Sequence, residues 1–262
     1  MMGKDTLLSI RHLSKTYDGK TKALDDVNAD FAKGEFVVVI GPSGAGKSTF
    51  IRCINRMIDP TSGSMVFDGV HMETLKGRAL RIERSHIGMV FQDYNLIDRT
   101  SVIKNVLHGC LGRMTFARSL LGLYARDDIR EAAELLEHTG LRDQMHKRAG
   151  DLSGGQKQRV GICRSLIQHP KLLLADEPIA SLDPKSAHVV MDSLVEATGE
   201  RNLTCLVNLH QVDFAKRYAT RIIGIKQGRI VYDGSPRGLD DKTIASIYEG
   251  KEEQMTLQGA RP

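Results

Sequence analysis

The sequence predicts an α/β protein: a buried sheet core with an antiparallel β-subdomain near its start and a helical subdomain inserted in its middle. Three observations carry that expectation. Short apolar runs, Phe36-Val37-Val38-Val39-Ile40 and Leu172-Leu173-Leu174-Ala175, have the length and texture of strands covered on both faces. After the first of them, Phe50, Ile51, Ile54, Met57 and Ile58 recur at helical spacing. Between Asp93 and about Leu166 strand-like runs stop, and helical patterns such as Ile129, Ala132, Ala133 and Leu136 replace them.

The elements follow in order. Leu8 and Ile10, then Val27, Ala29 and Phe31, alternate at strand spacing. The helix after residue 46 is expected to end at Asp59-Pro60-Thr61-Ser62-Gly63. Residues 64–67 and 70–72 flank Asp68-Gly69 and read as a hairpin. Residues 87–91 form another strand. Asp183-Pro184 starts a helix, with Asp as N-cap and Pro in the first turn, which Gly199 should stop. Residues 203–209 and 222–225 complete the strands. The expected division is 1–92 for the first part of the core with the β-subdomain, 93–166 for the helical subdomain, 167–250 for the second part of the core, and 251–262 for a polar tail.

Composition bounds the function classes. The chain has 262 residues, 41% hydrophobic and 26% charged, as in ordinary globular proteins. Its net charge of +5 is spread without a dominant basic block, which gives no reason to expect nucleic acid. Cys53, Cys110, Cys163 and Cys205 have neither metal-ligand nor redox-pair spacing; three of them sit among apolar residues and read as small core hydrophobes, which favours a reducing compartment. Residues 1–5 are polar, so no secretory leader is expected. The most apolar long window, 102–124, is broken by Lys104, His108, Arg113 and Arg118, so no membrane span is expected. Any transport role therefore needs a separate membrane subunit.

Gly41-Pro42-Ser43-Gly44-Ala45-Gly46-Lys47-Ser48 has the phosphate-loop spacing. Glycines there let backbone N–H groups turn toward an anion, and the following helix adds its positive end. Lys47 would face the β- and γ-phosphates, Ser48 would offer its hydroxyl to Mg²⁺, and Thr49 could reach the α-phosphate. Asp176 and Glu177 end the apolar run that begins at Leu172. Asp176 would hold Mg²⁺ through water, and Glu177 would polarise the attacking water as general base once the turn at Pro178 re-aims it. Leu152-Ser153-Gly154-Gly155-Gln156 opens a helical pattern and offers a second anion site without a lysine, metal ligand or base. It reads either as a plain Ser-capped helix or as half of a site completed by another copy of the chain.

These motifs together resemble the ATPases of the ABC transporter family, over about residues 7–248. The resemblance implies a phosphate-loop NTPase core of the ABC type, hydrolysis of ATP with Mg²⁺, and a head-to-tail homodimer on the cytoplasmic face of a membrane. It also implies roles for further residues. Tyr17 stands where an aromatic stacks on adenine, and Gln92 where a glutamine touches Mg²⁺ and the attacking water. His210 stands where a histidine contacts the γ-phosphate, although Gln211 replaces the usual Asp after it. Ser153, Gly154, Gly155, Gln156 and Asp183 stand where residues reach a nucleotide held by the second copy.

Three stretches resemble more narrowly the phosphonate-import ATP-binding subunits. They are Ala175-Asp176-Glu177-Pro178-Ile179-Ala180-Ser181-Leu182-Asp183-Pro184, Leu209-His210-Gln211-Val212-Asp213-Phe214-Ala215, and the added segment 112–128. That segment either packs beside the groove that receives a membrane partner or is a longer helical hairpin with its own core contacts. The resemblance implies transmembrane permease subunits, an extracytoplasmic solute-binding protein, and a phosphonate, phosphite or phosphate-ester cargo. Import of another small solute, or movement of a membrane partner without transport, stays open at this stage. DNA-organising relatives with long coiled coils do not fit, because no sustained heptad run occurs, and tandem translation factors would need a second phosphate loop.

Overall fold

A computed structural model describes residues 6–249, so the expected polar tail at 251–262 lies outside the described residues. The chain opens with β1 (Thr6–Thr16), β2 (Lys22–Ala32) and β3 (Phe36–Ile40). Helix α1 (Lys47–Ile54), β4 (Ser62–Phe67), β5 (Val70–His71), α2 (Gly77–Ser85) and β6 (Ile87–Val90) follow. The helical part holds α3 (Val102–Leu107), α4 (Phe116–Leu121), α5 (Arg126–His138) and α6 (Gly154–Leu166). The chain then runs through β7 (Leu172–Asp176), α7 (Pro184–Glu200), β8 (Thr204–Asn208), α8 (Val212–Tyr218), β9 (Arg221–Lys226), β10 (Arg229–Gly234) and α9 (Asp241–Tyr248).

Six strands form one sheet in the order β10-β9-β3-β8-β7-β6. Pairing is parallel from β9 to β6, and only β10 runs antiparallel to its neighbour. Every residue of β3, β7 and β8 is buried, as strands with both faces covered require. Because side chains alternate, each strand feeds two cores. Val38, Ile40, Leu173 and Val207 pack with the helical part and α7. Val37, Val39, Leu172 and Leu206 pack with α1 and the second sheet. That second sheet, β2-β1-β4-β5, is antiparallel and places Leu8, Ile10, Phe31, Met65 and Phe67 in the same core. Phe31 and Phe50 meet across it with ring centroids 6.4 Å apart.

Several boundaries differ from the sequence expectation. Helix α1 stops at Ile54, a turn before the apolar period ends. Arg56 there turns left-handed (φ 51°) and its guanidinium donates to the Met72 carbonyl. Met57 is consequently exposed rather than buried. Gly199 lies inside α7, and the chain turns away only at Asn202, with φ 48°. In the added segment Met114 and Tyr124 pack against the core, but Phe116, Leu120, Leu121 and Leu123 are exposed. Among the described residues no helix is long and apolar enough to cross a membrane.

All four cysteines are buried and free. Burial pushes the Cys53 and Cys163 thiols up to about 11 and the Cys205 thiol higher still. A thiol reagent near pH 8 should therefore leave the native chain almost unlabelled and titrate all four cysteines in guanidinium chloride. Rapid labelling of the native chain would contradict this packing.

Candidate functional site

Residues 41–46 leave the buried end of β3 and turn directly into α1, so the first N–H groups of that helix face the loop's hollow. Only glycine fits at position 46. Its φ is 105°, and a Cβ there would lie 2.2 Å from the Ala23 carbonyl oxygen. The loop is closed by Ala45 N–H donating to the Pro42 carbonyl (3.1 Å) and tied to the sheet by Gly228 N–H donating to the Ala45 carbonyl (2.8 Å). Lys47 is buried, and its ammonium donates back to the Gly41 and Pro42 carbonyls at 2.7 and 3.0 Å. The Tyr17 hydroxyl lies 3.2 Å from Thr49 Oγ1, while its ring stays exposed beside the Lys15 ammonium.

The sheet brings a second group to the same place. In the β7–β8 register Asp176 stands opposite Asn208. Asn208 Nδ2 donates to Asp176 Oδ1 at 2.9 Å and to Ser48 Oγ at 3.3 Å. The other Asp176 oxygen accepts from Arg52, whose Nε and terminal nitrogen lie 3.2 and 3.1 Å away. Glu177 follows with φ 52°, a left-handed backbone that costs a glutamate ~1–2 kcal/mol. This reversal happens at Glu177 itself, not at Pro178, and it leaves the Glu177 carboxylate at the cleft beside His210 while Asp176 stays buried. Glu177 N–H donates to the Asn208 carbonyl at 3.2 Å, and its carboxylate pairs with His210 Nε2 at 2.6 Å.

The result is a shallow cleft of about 250 Å³ lined by Ser43, Gly44, Gly46, Lys47, Ser48 and Thr49 together with Glu177 and His210. Backbone donors, a cation and a helix end gather on one side, and a carboxylate with its histidine on the other. That arrangement suits a polyphosphate and a water directed at it. Ser48 and Asp176 supply the hard oxygens that Mg²⁺ prefers. No group of three or more His, Cys, Asp or Glu side chains placed to hold a metal occurs among the described residues.

The remaining predicted residues stand apart from this cleft. Ser153 caps α6: its hydroxyl accepts from Gln156 N–H at 3.4 Å, and Gln156 Oε1 accepts from Ser153 N–H at 2.9 Å. A Cβ on Gly154 would approach the Tyr94 hydroxyl, and one on Gly155 would lie 3.0 Å from Ser186 Cβ. The start of α6 therefore packs tightly on the start of α7. Asp183 caps α7 by accepting from Ser186 N–H at 3.0 Å. Hydrogen bonds from the Ser186 side chain and backbone hold its carboxyl below the usual range. Gln92 is exposed in the turn after β6. None of Gln92, Ser153, Gly154, Gly155, Gln156 and Asp183 lines the cleft. A larger basic groove of about 750 Å³, with Arg81, Arg84, Arg113 and Arg164 on its walls, lies away from the phosphate loop. Sequence reasoning missed Asn208 and Arg52. The one available signal was a polar Asn at the end of an apolar strand.

Residues 24–180 match the model of the ABC transporter family. The chain belongs to that family. Its ABC-type core, with the antiparallel β-subdomain and inserted helices, is the fold class the sequence predicted. Among similar proteins is the phosphonates import ATP-binding protein PhnC 2 of Oceanobacillus iheyensis, 51% identical over 95% of this chain and 98% of that one. Another is the phosphonates import ATP-binding protein PhnC of Treponema denticola, 47% identical over 91% of this chain and 93% of that one. The ABC fold also recurs in solved structures. The dimeric post-hydrolysis state of the cassette MJ0796 bound to ADP and Pi superposes with a TM-score of 0.77 at 32% identity, covering 88% of this chain and 99% of that one. The cbiO1 protein of Clostridium perfringens, part of the transporter complex cbiONQ, gives 0.80 at 29% identity, covering 98% of this chain and all of that one.

Proposed function

We propose that this chain is the ATP-hydrolysing subunit of an importer for phosphonate or a related phosphorus oxyanion such as phosphite or a phosphate ester. The observation that carries the chemistry is the cleft in which Lys47, Ser48, Glu177 and His210 converge. The cargo rests on relatives named as phosphonate importers and aligned over nearly the whole chain.

In this reading ATP lies along residues 41–49, with adenine on the exposed Tyr17 ring. On entry of the phosphates, the Lys47 ammonium exchanges its own loop carbonyls for the β- and γ-phosphate oxygens. Ser48, Asp176 and Gln92 would hold Mg²⁺, which when bound neutralises phosphate charge. Glu177, held in place by His210, takes a proton from water as its oxygen bonds to the γ-phosphorus. The bond from that phosphorus to the bridging oxygen breaks, releasing ADP and phosphate. Before that bond breaks, His210 would also contact the γ-phosphate. Positioning and charge neutralisation supply most of the rate.

A single chain leaves the γ-phosphate side of this cleft open. The backbone donors of Ser153, Gly154, Gly155 and Gln156, and the Asp183 loop, come from a second copy in a head-to-tail homodimer. Closure of that dimer moves permease subunits through the helical part, beside the basic groove. The assembly sits peripherally on the cytoplasmic face of the membrane, with an extracytoplasmic binding protein delivering the solute.

Glu177→Gln should keep ATP binding, accumulate an ATP-bound dimer on size exclusion, and lose at least about 100-fold in turnover. Undiminished hydrolysis would remove Glu177 from the base role. Ser153→Arg and Lys47→Ala chains should each be inactive alone. Mixed, they should regain hydrolysis, because each mixed dimer holds one intact composite site; a Ser153→Arg chain that is fully active alone would refute the shared site. In vesicles with the cognate permease and binding protein, phosphonate or phosphite should stimulate ATPase activity. Stimulation by an unrelated solute alone would reassign the cargo.

A further inference from the structure

Strand β8 is Thr-Cys-Leu-Val-Asn, and Asn is depleted in strands. Asn208 is nevertheless fully enclosed. A buried amide is tolerated when its hydrogen bonds are made, and here they are made selectively. The atom 2.9 Å from Asp176 Oδ1 must be the amide nitrogen, because two acceptors would repel at that distance. The same nitrogen reaches Ser48 Oγ at 3.3 Å. The carbonyl oxygen Oδ1 meanwhile is buried without a hydrogen-bond partner. The side chain therefore leaves its own acceptor unpaired in order to span Ser48 on α1 and Asp176 on β7. Its backbone carbonyl takes the Glu177 N–H at 3.2 Å, so one residue bears on both acids.

We propose that Asn208 is a positioning residue for the divalent cation that accompanies ATP, an inference that rests on the nucleotide-site reading above. Its amide sets the spacing of the Ser48 hydroxyl and the Asp176 carboxylate before any ligand arrives. A serine hydroxyl has two lone pairs; accepting from Asn208 occupies one and leaves the other for the cation. A purely structural clamp between β7 and β8 would not need to reach the phosphate loop, whereas this amide does.

Arg52 does not duplicate the role. It grips the other Asp176 oxygen from a side chain 46% exposed, a pairing that water weakens and that can swing aside. Asn208 has no room to move. The division predicts that Arg52 can leave when the cation binds, while Asn208 stays.

The test measures binding rather than turnover. Asn208→Leu keeps the approximate shape and removes the N–H donors; Asn208→Val does the same with a smaller, strand-favoured side chain. ATP affinity is measured by calorimetry in EDTA and in Mg²⁺, and Mn²⁺ affinity of the ATP-bound chain by electron paramagnetic resonance. Expected for both variants is unchanged affinity for ATP in EDTA and a loss of about 10-fold or more in Mn²⁺ affinity, the usual scale for groups that orient a metal's ligands. Wild-type Mn²⁺ affinity in either variant would overturn the proposal. So would a fall in metal-free ATP affinity as large as the fall for the cation, which would mean the pocket had simply collapsed. A wild-type chain whose ATP affinity ignores the cation would overturn the nucleotide-site reading on which the proposal stands.

Discussion

Parallel pairing of β3, β8 and β7 sets the ends of three buried strands side by side. The phosphate loop leaves one of them, Asn208 ends the second, and Asp176 ends the third. A slip of one residue between β7 and β8 would send Asp176 to the opposite face and pair Asn208 with an apolar neighbour. The apolar side chains of both strands forbid it, because alternate residues are committed to two different cores. The packing of Leu172, Leu173 and Leu174 is therefore what aims the carboxylates. Chemistry at the strand ends inherits its accuracy from hydrophobic register rather than from the polar contacts themselves.

Much of this was legible before any coordinates. The five apolar residues after Glu35 and the leucines after Lys171 mark central strands by composition alone. The glycine spacing marks the loop, and Asp183-Pro184 marks a helix start. What escaped the sequence depends on contacts between distant segments. Asn208 and Arg52 both act on Asp176, and nothing local to either residue announces the partner. The early end of α1 is set by Arg56 reaching the Met72 carbonyl, so the apolar period ran past the true boundary. Gly199 misled in the other direction: the left-handed residue that ends the helix is Asn202, whose N–H donates to the Gly199 carbonyl while Leu203 N–H donates to that of Thr198.

The capped start of α6 shows how one local solution can serve two ends. Within the chain, Ser153 and Gln156 satisfy the first donors of α6, and the two glycines admit Tyr94 and Ser186 at close range. A side chain at Gly155 would press on Ser186 of α7, and one at Gly154 would displace the Tyr94 hydroxyl. In the proposed dimer the same small residues let a second molecule's phosphates approach the helix end. The two demands agree, since both require bare backbone.

Left-handed backbone is a conformation in which glycine and asparagine rest easily and glutamate does not. The chain places that conformation at Glu177, beside His210 and above Asn208. A reserve of instability is thus kept at the position proposed to do the chemistry. Replacing Glu177 by glycine would relax the fold and erase the carboxylate in one step. On that proposal, backbone stability pulls residue 177 toward glycine while the chemistry asks for a carboxylate.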